Sequence, residues 1–450
     1  MKHWSDWARR LALVMLLAGL LSGCSGLPLT GSPTPATPAA PTQAATSGVT
    51  PAAATPGAGT QPAPQGQTPA AEPSPTEELR LEVWVPPLFD PDSATDAGRL
   101  LQQRVDQFAG ENPGVSVTLR VKSVAGPGGL LGTLSTASAA APGALPALVL
   151  LPRADLESAV VKGLVVPLDD LTTIMEEPDW YDYAQQLARV QDSVFGVPLG
   201  GDAQVLVYRP ARYPNLPETW EDVLGYGDPL AFAAADPRAS LTLALYRSAG
   251  GALLDNQGHP DLQEAPLAQV LHLFAEGARS GVFPSWLTQY QTDAQSWQAF
   301  LEGRTQWVVN WASRYLTERP PETALIGLPP LGDEPVALAE GWVWALAERS
   351  PQEQTLAMRL AEYLSASEFQ AALTESAGLL PARPSALAGW RDAAIGSQLG
   401  TVLSAAEARP AAELGTALGV PLTDATVQIL QGNTEVEQLA RDTAAKLGGQ

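Results

Sequence analysis

The sequence predicts an α/β fold divided into two lobes, and three observations carry that prediction. Residues 79–151 alternate strand-like and helix-like patterns, the rhythm of a parallel sheet with crossover helices. The part that reads as folded, from about Glu77 to Gln450, is about 370 residues long, more than one core of ordinary size fills. No period of about 20 to 50 residues recurs along it, which sets aside a solenoid.

In chain order, residues 1–23 read as a signal peptide. Lys2, Arg9 and Arg10 form a positive start, and Leu11 to Leu21 form an apolar run. Its length suits the roughly 7 to 15 residues of an export signal and falls short of the about 20 that span a bilayer. Cys24 is the only cysteine in 450 residues, so neither an intramolecular disulfide nor a cysteine-built zinc or iron–sulfur site is open to this chain. Leu21-Ser22-Gly23-Cys24 resembles a bacterial lipobox. That resemblance implies acylation of the thiol, cleavage before it and a mature chain beginning at Cys24; the alternative is an ordinary signal peptide with an incidental cysteine. Residues 24–76 then read as a disordered linker of Pro, Ala, Thr, Gly, Ser and Gln, too poor in apolar surface to offset its ordering entropy. About fifty such residues in extended polyproline II form reach roughly 150 Å.

The first lobe opens with the strand Leu79–Val85. A helix over about Asp96–Ala109 gathers Leu100, Leu101, Val105 and Phe108 on one face. Asn112-Pro113-Gly114 turns the chain into Val115–Val121, which alternates apolar and polar residues as a half-buried strand does. A helical stretch near Leu130–Ala140 leads to Ala147–Leu151, a continuous apolar run suited to a buried parallel strand. Beyond Phe195, a strand rich in glycine at Gly200 and Gly201 is followed by an apolar strand that reaches Tyr208, and Thr219 is placed to cap the helix after it. Leu241–Ala249 reads as a helix closed by Gly250-Gly251, Leu267–Ser280 as an amphipathic helix, and Thr305–Trp311 as a strand with Trp307, Val309 and Trp311 on one face.

Composition narrows the function. Forty-eight acidic against 26 basic residues, a net charge of -22, argue against nucleic acid as a partner. The chain has no Gly-x-Ser-x-Gly elbow, no His-Glu-x-x-His and no phosphate-binding Gly-x4-Gly-Lys-Ser/Thr loop. Apart from His3, the histidines are His259 in a turn and His272 on a helix. Carboxylate pairs are plentiful, so a glycosidase stays open on that count.

Five segments in order resemble the extracellular solute-binding protein family 1: Phe195-Gly-Val-Pro-Leu, Leu216-Pro-Glu-Thr-Trp-Glu-Asp-Val, Phe300-Leu-Glu-Gly-Arg with its following strand, Gly341-Trp-Val-Trp-Ala-Leu, and Ala377-Gly-Leu-Leu-Pro-Ala-Arg-Pro-Ser. The resemblance spans about Leu79 to Leu447. It implies the two-lobed periplasmic-binding-protein-like fold of the type II kind, two α/β lobes joined by crossing strands, with a ligand cleft between them. Carried onto this chain, the crossings fall near Val197–Ala203 and Pro335–Trp344. Lobe one is then residues 79–199 plus 341–385, and lobe two residues 200–340 plus 386–450. It further implies a monomeric, extracytoplasmic, non-enzymatic receptor without cofactor or metal. The receptor would take a small ligand, a sugar above all, to the permease of an ABC importer, held to the membrane through lipid on Cys24.

A sugar asks for hydrogen bonds to its hydroxyls and flat apolar faces for its C–H surfaces. The chain has 12 Trp against 8 Phe. Trp311 ends a strand where the family places a ligand-facing loop, although the family often has Gly there; core packing is the alternative. Trp342 and Trp344 sit two residues apart on the second crossing, with cleft and hinge core as the two readings. Asp202, between glycine and alanine on the first crossing, matches a polar contact of the family. Phe89, Arg153 and Asp155 follow the carboxyl ends of parallel strands, where ligands collect in open α/β sheets; Asp155 also suits a helix start. Ser240 precedes a helix and offers a hydroxyl to a ligand or to the helix itself. Arg383 falls where the family's chain returns past the cleft, with a salt bridge as the alternative. Two functions of other classes stay in view: a surface glycan hydrolase, and a sensory or adhesive module on the same fold.

Overall fold

A computed structural model describes residues 79–447 apart from Ala94, Pro127 and Arg349. The expected signal peptide, the linker and Cys24 lie outside the described residues. The described chain starts with β1 (Leu79–Val85), α1 (Asp96–Glu111), β2 (Val115–Val121), α2 (Leu130–Ala140) and β3 (Leu148–Pro152). β1 pairs in parallel with β2 along its whole length and with β3 at Val83 and Trp84. α1 forms where Leu101, Val105 and Phe108 share a face, and that face is buried. β3 is buried from Leu148 to Leu151, as an unbroken apolar run requires.

α3 (Arg153–Val161) leaves directly from β3, and α4 (Asp182–Ala188) leads into the small hairpin of β4 (Arg189–Val190) and β5 (Ser193–Val194). β6 (Val197–Tyr208) comes next, and every one of its residues except Asp202 is buried. Then follow α5 (Trp220–Tyr226), β7 (Leu230–Ala231), α6 (Ser240–Ser248), α7 (Glu264–Ser280), α8 (Asp293–Leu301), β8 (Trp307–Trp311), α9 (Ala312–Glu318) and β9 (Ala324–Ile326). Thr219 caps α5 as expected: its hydroxyl accepts from Asp222 N–H at 3.2 Å, and the Asp222 carboxylate accepts from Thr219 N–H at 3.0 Å. α7 begins at Glu264 rather than at Leu267, because Pro266 lies in its first turn, where no donor is missed.

The last third holds β10 (Ala337–Leu346), α10 (Pro351–Leu364), α11 (Ser367–Ala377), β11 (Leu380–Pro381), α12 (Pro384–Ala388), α13 (Ala393–Ser404), β12 (Ala406–Ala408), α14 (Ala412–Leu430) and α15 (Val436–Ala445). The strands run β2-β1-β3-β10-β6-β8-β7, with β11 and β9 also on β6 and β12 on β10. β6 and β10 are the two crossing strands, antiparallel to each other. β6 meets β11 through Gly200 and Gly201, and β8 and β9 through Gln204–Tyr208. β10 meets β12 through Ala337–Ala339 and β3 through Trp342–Leu346. Each long strand therefore changes partners midway.

At the changeover Gly201 stands opposite Gly341. A Cβ on Gly201 would lie 2.3 Å from the Glu340 carbonyl oxygen, and one on Gly341 would lie 2.4 Å from Leu187 Cδ1 and 2.8 Å from the Gly200 oxygen. Only glycine permits so close an approach of the two backbones. One step further on, the register shifts: Trp342 faces Gly200 and Val343 faces Pro198, leaving Leu199 as the extra residue of a bulge. No helix among the described residues is long and apolar enough to cross a membrane.

Candidate functional site

Beside this crossing lies a cleft of about 490 Å³, whose lining includes Asp202, Asp293, Trp311, Arg314, Glu340 and Trp342. Asp202 is there because it is the one position of β6 left open. Its carboxylate reaches the start of α9 and accepts from the Ser313 N–H at 2.9 Å, from the Ser313 hydroxyl and from the Ala203 N–H at 2.9 Å. Burial of the carboxylate pushes its pKa up to about 7; the Ser313 and Ala203 bonds oppose the rise and the charge of Glu340 adds to it.

Trp311 ends β8 and occupies the N-cap position of α9. Trp307, on the same face of the strand, is fully buried and packs 4.2 Å from Tyr213 and 5.2 Å from Tyr208, ring centre to ring centre. Trp311 at the strand end is half-buried and lines the cleft. Its indole N–H donates to Asp293 Oδ2 at 2.8 Å, and the Arg409 guanidinium lies 5.0 Å from its ring centre. Burial raises the Asp293 pKa; the Trp311 bond opposes this, and nearby Asp236 reinforces it.

Glu340 is held by two guanidiniums, Arg409 at 3.2 Å and Arg238 at 3.8 Å. The Arg409 contact is an ion pair without hydrogen-bond geometry, since Arg409 Nε is buried with no hydrogen-bond partner. Arg409 donates instead through Nη2 to Ser240 Oγ at 2.6 Å, and burial lowers its pKa against the pull of Glu340. Arg314 is already paired with Glu318 at 2.8 Å.

Of the residues expected from sequence, Asp202, Trp311 and Trp342 come together on this cleft. The others lie elsewhere, each for a physical reason. Phe89 is fully buried in a short 3-10 turn after β1 and packs in the core. Trp344 shares its strand with Trp342 but sits two residues deeper, between Leu150 of β3 and Val197 of β6, with no exposed surface. Arg153 turns from the cleft to the end of α4: it pairs with Glu157 at 2.7 Å and donates to the carbonyls of Gln186 at 2.6 Å, Leu187 at 2.9 Å and Arg189. A cation there satisfies the last carbonyls of a helix. Asp155 lies half-buried in the first turn of α3, its pKa raised by burial and opposed by Lys162. The Ser240 hydroxyl donates to Asp236 and accepts from Arg409, so the protein itself occupies it. Arg383 pairs with Glu177 at 2.6 Å, donates to the Ser365 carbonyl at 3.0 Å and stacks 3.7 Å from the Trp180 ring centre, which is the salt-bridge alternative.

Sequence reasoning missed Asp293, Glu340 and Arg409. Asp293 opens a helix behind the Thr292 and Gln295 capping box, so it reads as an ordinary helix-start acid. Glu340 had one usable signal, its place just before Gly341 on the crossing strand. Arg409, in Glu-Ala-Arg-Pro, carries no pattern at all.

A sequence model of a family described as bacterial extracellular solute-binding protein matches residues 103–396. Among curated proteins none matches the chain. Among solved structures, the chain is similar to maltose-bound MalE3 of T. maritima, at 18% identity and a TM-score of 0.59, over 82% of this chain and 99% of that one. It is similar to the cyclic alpha-maltosyl-1,6-maltose binding protein of Arthrobacter globiformis, at 16% identity and a TM-score of 0.67, over 82% and 98%. The sugar-binding protein MalE of Xanthomonas citri is similar at 16% identity and a TM-score of 0.65, over 82% and 96%. These likenesses establish the two-lobed fold.

Proposed function

Because the chain belongs to the bacterial extracellular solute-binding protein family, we propose that it is the receptor of an ABC importer, binding a carbohydrate in the cleft beside the crossing strands and delivering it to a permease. The observation that carries this reading is the cleft lining: two indoles, Trp311 and Trp342, in one cavity with the carboxylates Asp202, Asp293 and Glu340. Indole faces suit the C–H surfaces of a pyranose, and carboxylates accept from its hydroxyls. Maltose and related saccharides are named for several of the similar structures, which supports the same class of ligand here. The lipid on Cys24 would hold the receptor to the membrane, with residues 24–76 as its tether.

The lobes of this reading are residues 79–199 with 341–385, and 200–340 with 386–450. In support, Gly200, Gly201 and Gly341 mark where both crossing strands change partners. A hinge of so few residues lets two lobes close over a ligand.

Thermal unfolding of the purified protein against a panel of mono- and oligosaccharides tests the proposal, since a ligand that binds only the folded state raises the melting temperature by mass action. The expected result is a saccharide that raises it in the wild type and fails to do so in Trp311→Ala with Trp342→Ala. Release of reducing ends from an oligosaccharide would replace the receptor with the hydrolase. A cluster of sensor genes in place of permease genes around the coding sequence would favour the sensory module.

A further inference from the structure

The charge around the cleft is lopsided. Asp202, Asp293 and Glu340 line it, and Asp236 stands behind them, close enough to act on Asp293. Against these four carboxylates stand Arg409 and Arg238, both drawn to the same oxygen of Glu340, while Arg314 is cancelled by Glu318. Asp293 Oδ1 and Glu340 Oε2 have no hydrogen-bond partner among the described residues. Two acceptor oxygens open to solvent therefore belong to a cavity that also holds two indoles.

We infer that the cleft selects a saccharide bearing a primary ammonium group over its neutral and anionic counterparts, with Asp293 and Glu340 receiving the ammonium. The inference rests on the carbohydrate reading above and names its ligand class more narrowly. An ammonium offers three donors and a full positive charge, which meets the carboxylate oxygens left without a hydrogen bond better than a hydroxyl does. Aromatic faces attract the same cation. The raised pKa values of Asp202 and Asp293 point the same way, since a cation entering the cleft relieves the cost of ionising both. At long range, the net charge of -22 steers cations toward the molecule and repels anions.

The test compares saccharides that differ only by an amine for a hydroxyl: glucosamine with glucose, and the β-1,4-linked glucosamine disaccharide with cellobiose. Both pairs are titrated calorimetrically into the full purified protein, with spermidine as a cation that carries no sugar. The expected result is about tenfold tighter binding of an amino-saccharide than of its neutral partner at low salt, the scale of one hydrogen bond to a charged group. That preference should shrink in 0.5 M salt, where screening reaches about 4 Å, and fall in Glu340→Gln, with binding of the neutral partner retained as the sign that the variant is folded. Binding near pH 7 should also release protons, read as a dependence of the apparent heat on buffer ionisation. Equal or tighter binding of the neutral partner overturns the inference and leaves the carbohydrate reading standing. Spermidine binding as tightly as the amino-saccharides, with no neutral sugar bound, overturns the carbohydrate reading itself. A panel in which no amino-saccharide binds overturns the inference.

Discussion

Trp311 joins three elements through one side chain. It closes β8, precedes α9 and ties α8 to the cleft through Asp293, while Arg409 stands over its ring. Trp311→Phe keeps an aromatic face and gives up the Asp293 bond, whereas Trp311→Ala gives up both. Saccharide affinity is therefore expected to fall by about tenfold in the first and by more in the second, measured by calorimetry. Asp202 yields a pH prediction. Its folded pKa of about 7 stands above the ordinary carboxylate value near 3.9. The folded state thus holds a proton that the unfolded state has lost between those limits. The stability linked to this proton is full below about pH 4 and is lost as pH rises to about 7, at no more than about 1.4 kcal/mol per pH unit. Melting temperatures of wild type and Asp202→Asn should accordingly diverge across that window in favour of Asn and run parallel above it; parallel curves throughout would remove the assignment. The indoles were legible in the sequence because alternation along Trp307, Val309 and Trp311 puts them on one face. Arg409 was not, because its partners Ser240 and Glu340 lie 169 and 69 positions away and only the tertiary fold brings them to it.

The elements differ in how openly the sequence announces them. α1 and β3 follow from periodicity and from an unbroken apolar run, and both formed where expected. α14 was not marked out, because Gly415, Gly419 and Pro421 all fall inside it and each normally breaks a helix. Gly419 has a tertiary purpose: a Cβ there would lie 2.3 Å from the Pro237 carbonyl, just before α6. The crossing glycines are a stronger case of the same kind. Gly201→Ala and Gly341→Ala are each expected to destabilise the fold by about 1–3 kcal/mol, the usual cost of overpacking. Gly110→Ala, inside α1 and with nothing within 4 Å of the new Cβ, should instead stabilise by about 0.5–1 kcal/mol. Urea midpoints of the three variants decide this, and a neutral Gly201→Ala would mean that the strands can part there without cost.

For the molecule as a whole, attachment and recognition are expected to be separable. Cys24→Ser should move the protein from the membrane fraction to the soluble fraction with ligand affinity unchanged; a fall in affinity would tie the thiol to recognition. The α/β class was readable from strand and helix rhythm and a division into two lobes from chain length, whereas the two crossing strands came only with the resemblance to a known family. The joining of β3 to β6 through β10 in one sheet was not readable, because it depends on pairings such as Trp344 with Leu150 and Glu340 with Asp202 that lie far apart in the chain. This joining bears on how the chain reaches its native state. Synthesis runs from the N-terminus, and β3 has no partner on its outer side until β10 has been made. A nascent chain ending anywhere before residue 337 therefore carries an open, wholly apolar strand edge, Leu148–Leu151, of the sort that recruits other chains. That edge is covered only by β10, which is made nearly two hundred residues after β3.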